Sequence, residues 1–293
     1  MILTKNKIKK FDVDFEIDQR IKSDRLNQLL IIVPTNRKIR DLKKGIITLS
    51  PKNATGKINL ETLSTLSTKL LFNDSEIKGT ILSDAAATVL LKQSFQEIKA
   101  KYFSNYKDEI PSGTLERIKN VISEYKKNGI TAADLRRESE SLSGSEKLKA
   151  EDIADIYEKY QANCDKLGVK EIGDVYNQLN RLDKTEFEKR FRNFFPEVKV
   201  IVIQGFDEFT MPEIEIINST SEIPGSELFL SFDYSSSNSQ LFKHLDRCYG
   251  KLKAKGFNPI EDSSKSLHNK FQSEIRKNLF NGRKPDKIND FKK

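Results

Sequence analysis

The sequence is poor in the residues that build metal and redox centres. Its 293 residues include two cysteines, Cys164 and Cys248, and two histidines, His244 and His268. A structural zinc needs about four nitrogen or sulfur ligands and an iron–sulfur cluster usually about four cysteines, so Cys and His alone can build neither. Cys164 falls on an apolar helical stripe and is expected in a core. His244, in "LFKHLDRCYG", is expected on a helix surface. Without a positioned histidine, a serine or cysteine hydrolase lacks its usual base. The sequence therefore assigns no catalytic residue, no metal ligand and no cofactor. Long apolar runs are missing too: the longest strongly apolar run, Leu29–Val33, is far short of the roughly 20 residues of a membrane helix. The opening "MILTKNKIKKF" has lysines but neither the apolar stretch nor the cleavage site of a secretory signal. No membrane partner is expected, and the cytoplasm is the default location. Glycine is missing where it would matter most: residues 1–28 hold none, and the first in the chain is Gly45.

What is present is globular. Hydrophobic residues make up 37% and charged residues 32% of the chain, without a low-complexity tract, enough apolar material for a real core. The net charge of +8 favours contact with polyanions but decides little by itself. Its distribution says more. Arg37, Lys38, Arg40, Lys43 and Lys44 follow an early apolar run, and the tail from Lys265 to Lys293 carries nine Lys/Arg against three Asp/Glu.

The pattern along the chain alternates. "LLIIV" (29–33) reads as a strand closed by Pro34 and followed by a charged helix from about 36 to 46. "KINLET" (57–62) reads as a second strand. From about 83 to 194 the character is helical: a Ser/Asp cap opens "SDAAATVLLKQSFQEIKAKYF", Asn128-Gly129 stops "GTLERIKNVISEYKKNG", and Thr131 caps "TAADLRRE". A longer helix places Ile153, Ile156, Tyr157, Tyr160, Cys164 and Leu167 on one face and ends at Gly168, a C-cap. Strands then return at "VKVIVI" (198–203) and "ELFLSF" (227–232), each followed by a helix. Strands alternating with helices imply a parallel sheet covered on both faces, with the helical block inserted between its strands.

The strand "VKVIVIQGFDEF" ends in the adjacent carboxylates Asp207 and Glu208, as a P-loop ATPase strand would. Such an ATPase also needs a glycine-rich loop whose amides wrap the phosphates, with a Lys and a Ser/Thr. The one GK stretch, "PKNATGKIN", has Pro51 and Ile58 at the critical places and sits ahead of the wrong strand. Gly205-Phe206 also separates the apolar run from Asp207. The acidic pair is therefore expected to be structural, solvated or capping the next helix. A metal-dependent nuclease set is not found, and "GVKEIGD" (168–174) lies inside the helical block.

In order and spacing, "LLIIVPTNRKIRDL", "INLETLSTLSTKLLF", "IADIYEKYQANCDKLGVKEIGDVYNQL", "VKVIVIQGFDEFTMPEIEIINSTSE" and "ELFLSFDYSSSNSQLFKHLDRCYGKLKAKGF" together resemble the N-terminal part of the AddB/RexB family of helicase–nuclease subunits. The resemblance implies a RecA-like (P-loop NTPase-type) parallel sheet flanked by helices, formed by residues 1–78 and 195–293, with an all-α subdomain, residues 79–194, inserted in it. It places "VPTNR" beside single-stranded DNA, so Thr35, Asn36 and Arg37, with Lys38 and Arg40, become candidate DNA contacts. "ETLSTL" adds Thr62 and Ser64, although Ser64 stands where a histidine is usual. Asp207 and Glu208 fall at a degenerate Walker B motif. In "SFDYSSSNSQ", Ser231 replaces a glycine of the family's sensor, and Gln240 lies too far from Asp233. The resemblance also implies that family members continue into a second RecA-like domain and a C-terminal nuclease domain, often with an iron–sulfur cluster held by four cysteines, and neither domain is expected within these 293 residues.

The resulting expectation is a non-catalytic helicase-like module of a DNA repair and recombination complex. Its expected partners are single-stranded or end DNA and a subunit that carries the motor. The alternatives are an interaction scaffold without DNA affinity and, less favoured, a residual ATPase.

Overall fold

A computed structural model of the chain describes residues 1–50, 54–72, 80–106, 109–234, 238–262 and 278–279. The nine cations of the basic tail lie outside the described residues, as do 51–53 of the GK stretch and 235–237 of the sensor-like stretch. The described chain forms two compact units, one of Met1–Thr65, Phe191–Phe209 and Ile217–Lys293, the other of Leu66–Arg190 and Thr210–Ile216.

In chain order the elements are β1 (Ile2–Thr4), β2 (Lys10–Phe11), α1 (Val13–Lys22), β3 (Leu29–Ile32), α2 (Asn36–Leu49), β4 (Asn59–Glu61) and α3 (Leu63–Leu71). Then come β5 (Thr80–Ile81), α4 (Asp84–Gln96), α5 (Ser112–Lys127), α6 (Ala132–Ser139), α7 (Gly144–Leu167), β6 (Val169–Lys170), α8 (Ile172–Leu179) and α9 (Lys184–Phe194). The chain continues through β7 (Val200–Phe206), α10 (Met211–Ser221), β8 (Glu227–Phe232), α11 (Ser239–Phe242), α12 (Asp246–Ala254) and β9 (Asn258–Asp262).

The first unit is built on a seven-stranded sheet of order β2-β9-β1-β8-β7-β3-β4. Its centre is β3 against β7, parallel and in register from Leu29↔Val200 to Ile32↔Ile203. Successive strand residues point to opposite faces, and Leu30, Ile31, Ile32, Ile201, Val202 and Ile203 are all 0–1% exposed. Both faces are therefore covered, which is why these runs are uninterrupted β-branched and leucine sequence rather than alternating. On one face Leu29, Ile31, Val200, Val202 and Phe229 share a core with Ile17 and Ile21 of α1 and Ile46 of α2.

The sheet is mostly parallel, with an exception that periodicity does not reveal. The short strand β1 pairs antiparallel with both β8 and β9. No sequence expectation covered β1, β2, α1 or β9; their runs are too short or too polar to register.

The second unit is a helical cluster. Leu90, Leu91 and Phe95 of α4, Leu115, Ile118 and Ile122 of α5, and Ile153, Ile156, Tyr160 and Cys164 of α7 interlock in one core. Its helices end as the sequence indicates. Ser83 accepts the Ala86 N–H, Thr131 and Asp134 form a capping box, and Gly168 closes α7 at φ +64°. Leu167, expected on the buried stripe, is instead 62% exposed; it is the last helical residue, and the left-handed turn at Gly168 follows it. Cys164 is fully buried, as expected. His244 is exposed, in a 3-10 turn between α11 and α12 rather than in a continuous helix. "GVKEIGD" is not wholly helical: Val169–Lys170 form β6, paired with β5.

Candidate functional site

Strands β4, β3, β7 and β8 are parallel neighbours, so their carboxyl ends share one edge of the sheet, where open α/β sheets bind ligands. The structure brings the sequence-derived candidates together there. Thr62 and Ser64 follow β4, Thr35 to Arg40 follow β3, and Asp207 and Glu208 follow β7.

After β3, Pro34 turns the chain and Thr35 caps α2, its hydroxyl accepting the Lys38 N–H at 3.3 Å. Thr35, Asn36, Arg37, Lys38 and Arg40 are all exposed. Farther along α2, Lys43 and Lys44 are exposed as well. None of these five cations is in an ion pair among the described residues. The first turn of α2 contains no acidic residue, although the positive end of a helix dipole favours acids there and disfavours cations by about 0.3–1 kcal/mol each. Arg37 and Lys38 thus stand where folding alone would not put them.

Thr62 is differently placed. It is 5% exposed, and its hydroxyl lies 2.8 Å from the Ser64 hydroxyl and accepts the Thr65 N–H at 3.0 Å. It closes the start of α3, with Ser64 half-buried beside it.

Asp207 and Glu208 are exposed. The following helix is closed by other groups: Glu213 accepts both the N–H and the hydroxyl of Thr210, at 2.9 and 3.0 Å. Before the acids, β7 carries a bulge: between the pairs Ile203↔Leu230 and Phe206↔Phe232, Gln204 and Gly205 face Ser231 alone. Gly205 adopts φ +79° within it. The extra residue reverses the in–out alternation and turns Phe206 onto Phe209, centroids 4.9 Å apart.

Phe209 continues to Phe232 and Tyr234, and Tyr234 stacks on Tyr249 at 4.4 Å. The Tyr234 hydroxyl donates to Asp246 at 2.8 Å; that bond, with burial, pushes the phenol up to about 12. An aromatic stack therefore closes the β7–β8 part of the edge. The sequence signal for it is the recurring phenylalanine of "GFDEF" and "SFDY".

The direction of β1 matters here. It lies beside β8 but antiparallel, so the chain leaving Thr4 departs from the edge opposite Asp207, where Thr4 donates to the carbonyl of Leu228 at 2.7 Å. A phosphate loop works by following a strand whose carboxyl end meets the nucleotide; the loop after β1 is on the other side of the sheet. Among the described residues no group of three or more His, Cys, Asp or Glu is placed to hold a metal ion, and no helix is long and apolar enough to cross a membrane.

A helix-flanked, mostly parallel seven-stranded sheet of this kind is a RecA-like α/β domain. The family model described as "ADDB, N-terminal" matches residues 9–273, and the chain belongs to that family: it is the N-terminal region of an AddB-type helicase–nuclease subunit. No curated protein matches the chain.

Proposed function

We propose that this chain is a non-catalytic, helicase-like module that contacts single-stranded or end DNA along the start of α2 and works beside a subunit that carries the motor. The observation that carries the reading is the row of cations Arg37, Lys38, Arg40, Lys43 and Lys44, in no ion pair among the described residues, the first two of them in the opening turn of α2, whose positive end repels them. A phosphate backbone resolves that conflict, with the exposed Thr35 and Asn36 and the first N–H groups of α2 as further donors. Ser64 and Thr62, on the neighbouring turn, complete the candidate track, Thr62 by shaping the turn. The reversed β1 and the aromatic closure behind Asp207 favour a module that does not turn over nucleotide. Residues 79–194 are read as a helical insertion within the RecA-like domain.

Fluorescence anisotropy of a labelled single-stranded oligonucleotide, titrated at several salt concentrations, tests this. Binding that weakens steeply with salt is expected. Absence of binding even at low salt overturns the DNA reading and leaves an interaction scaffold.

A further inference from the structure

In the helical unit a cleft of about 390 Å³ opens between α5 and α7, with Tyr102, Tyr106, Ile118, Val121 and Ile153 along it and Arg117 and Lys149 among its lining residues. We propose that this groove receives an unpaired base of single-stranded nucleic acid, the base stacking on Tyr102 while Arg117 and Lys149 engage the flanking phosphates. The proposal rests on the DNA-binding reading above and gives the helical unit a contact of its own.

Tyr102 carries the argument. It is 43% exposed and, with Phe15, one of two exposed aromatic side chains among the described residues. The backbone on either side of it is held by a buried carboxylate. Asp152, 1% exposed, accepts the Lys101 N–H at 2.9 Å and the Phe103 N–H at 3.0 Å. The Tyr102 ring stands edge-on to Phe103, 4.9 Å between centroids at 87°. A buried carboxylate given over to two neighbouring peptides fixes the loop that presents the ring, and a ring fixed in advance stacks at a lower entropic cost.

The charges fit the same ligand. Arg117 on α5 and Lys149 on α7 are exposed and in no ion pair among the described residues. Nearby Lys101 and Lys119 are paired, with Glu151 and Asp84. Two cations in no ion pair among the described residues, beside an aromatic and aliphatic floor, match a flat apolar body with anions on both sides, which is a nucleotide within a strand. An acidic peptide would use the cations but has no need of a rigid exposed ring. The volume is near the low end of ligand clefts, roughly 300–1,000 Å³, suited to a base rather than a helix.

The test is anisotropy of the whole chain at low salt with a fluorescein-labelled oligothymidine and with an abasic strand of the same length. Tyr102→Ala is expected to weaken oligothymidine binding roughly tenfold, within the range of a lost stacking contact, and Tyr102→Phe to keep it. On the abasic strand Tyr102→Ala and wild type should bind alike, while Arg117→Glu with Lys149→Glu weakens both strands. An unchanged melting temperature for Tyr102→Ala makes its binding loss local. If Tyr102→Ala binds oligothymidine like wild type while charge reversal at Arg37, Lys38 and Arg40 abolishes binding, the groove proposal falls and the α2 reading stands. If the wild-type chain binds neither strand, both fall. Equal loss on both strands overturns stacking in favour of phosphate contact alone, and capture of an acidic peptide without any base dependence overturns the nucleotide as occupant.

Discussion

Gly205, in the bulge of β7, turns at φ +79° near Pro34 in the turn after β3, where a side chain added to the glycine would lie 3.7 Å from the proline ring. The contact joins the two stretches that looked functional in the sequence. A Cβ would fit, so the restriction at this position is conformational. Gly205→Ala is expected to lower stability by about 1–2 kcal/mol through the left-handed backbone alone, read as a shift of the urea midpoint at unchanged slope. A neutral result would mean that the bulge relaxes.

The acidic pair beyond the bulge calls for the opposite expectation. Asp207 and Glu208 are exposed, and the helix after them is capped by Thr210 and Glu213. Asp207→Ala with Glu208→Ala should change stability by no more than about 0.5 kcal/mol and leave DNA binding intact or slightly stronger. A marked loss of either would give the pair a role that the geometry does not suggest.

The sequence made the central strands legible because "LLII" and "VIVI" are buried on both faces, and the helical unit legible because its caps sit at its periodic boundaries. The candidate site was legible in part. Thr35 to Arg40 could be placed from the strand–turn–helix pattern, but the burial of Thr62 depends on a turn closed by Ser64 and Thr65, and the meaning of Asp207 depends on a bulge. The direction of β1 is a tertiary property. Three apolar-to-polar residues, Ile2–Thr4, carry no signal of which way they will lie in a sheet. Asp152 and Tyr102 were invisible as a pair because the bond between their segments spans 49 residues or more.

Lys126 is the clearest buried charge. It is 1% exposed, lies 3.0 Å from both Glu171 and Asp174, and sits 4.8 Å over the Tyr160 ring. Burial alone would lower its pKa, but Asp174 and Glu171 outweigh burial and hold it above the ordinary lysine value. Lys126→Met strands two carboxylates and should cost about 3–5 kcal/mol. Adding Glu171→Gln and Asp174→Asn should recover much of this, since the penalty comes from unpaired charge rather than lost volume. A triple variant as unstable as the single one would contradict that account.

The same cluster predicts alkaline sensitivity. Burial pushes the Cys164 thiol from its ordinary 9.0 up to about 11, and burial likewise raises the Tyr157 and Tyr160 phenols. Each group protonates more readily folded than unfolded, so its contribution is complete below the unfolded value and is lost as pH rises towards the folded one. Lys126, also raised, acts in the same direction. Stability measured by urea should therefore decline as pH rises from about 9 to 11, and Cys164→Ala should flatten that decline whatever its effect at neutral pH. A stability curve without slope in this window would refute the assignment.

Two glycines on helices should respond with opposite signs. Gly45, in α2, has nothing within 4 Å of an added Cβ, so Gly45→Ala should stabilise by about 0.5–1 kcal/mol. At Gly173 in α8 an added Cβ would meet the Lys126 carbonyl carbon at 2.5 Å and the Lys127 nitrogen at 2.7 Å. Backbone cannot move aside as a side-chain tip can, so Gly173→Ala should cost about 2–3 kcal/mol by forcing α8 from α5. Thermal melts of the two variants compare them directly.

The start of α2 separates a functional surface from an ordinary solvated helix, because the two make opposite predictions for one substitution. Arg37 and Lys38 oppose the helix dipole and have no ion-pair partner among the described residues. Replacing both with glutamate should therefore raise stability, by about 1 kcal/mol, while weakening single-stranded DNA binding. With Arg40→Glu added, three phosphate contacts are gone. The slope of log binding constant against log salt should fall in magnitude by about 2, since each contact on a single strand contributes about 0.7. A variant that is more stable and binds less, with a shallower salt slope, identifies cations kept for a ligand at the expense of the fold. A variant that is more stable and binds DNA unchanged would show that the strand, if it binds, passes elsewhere.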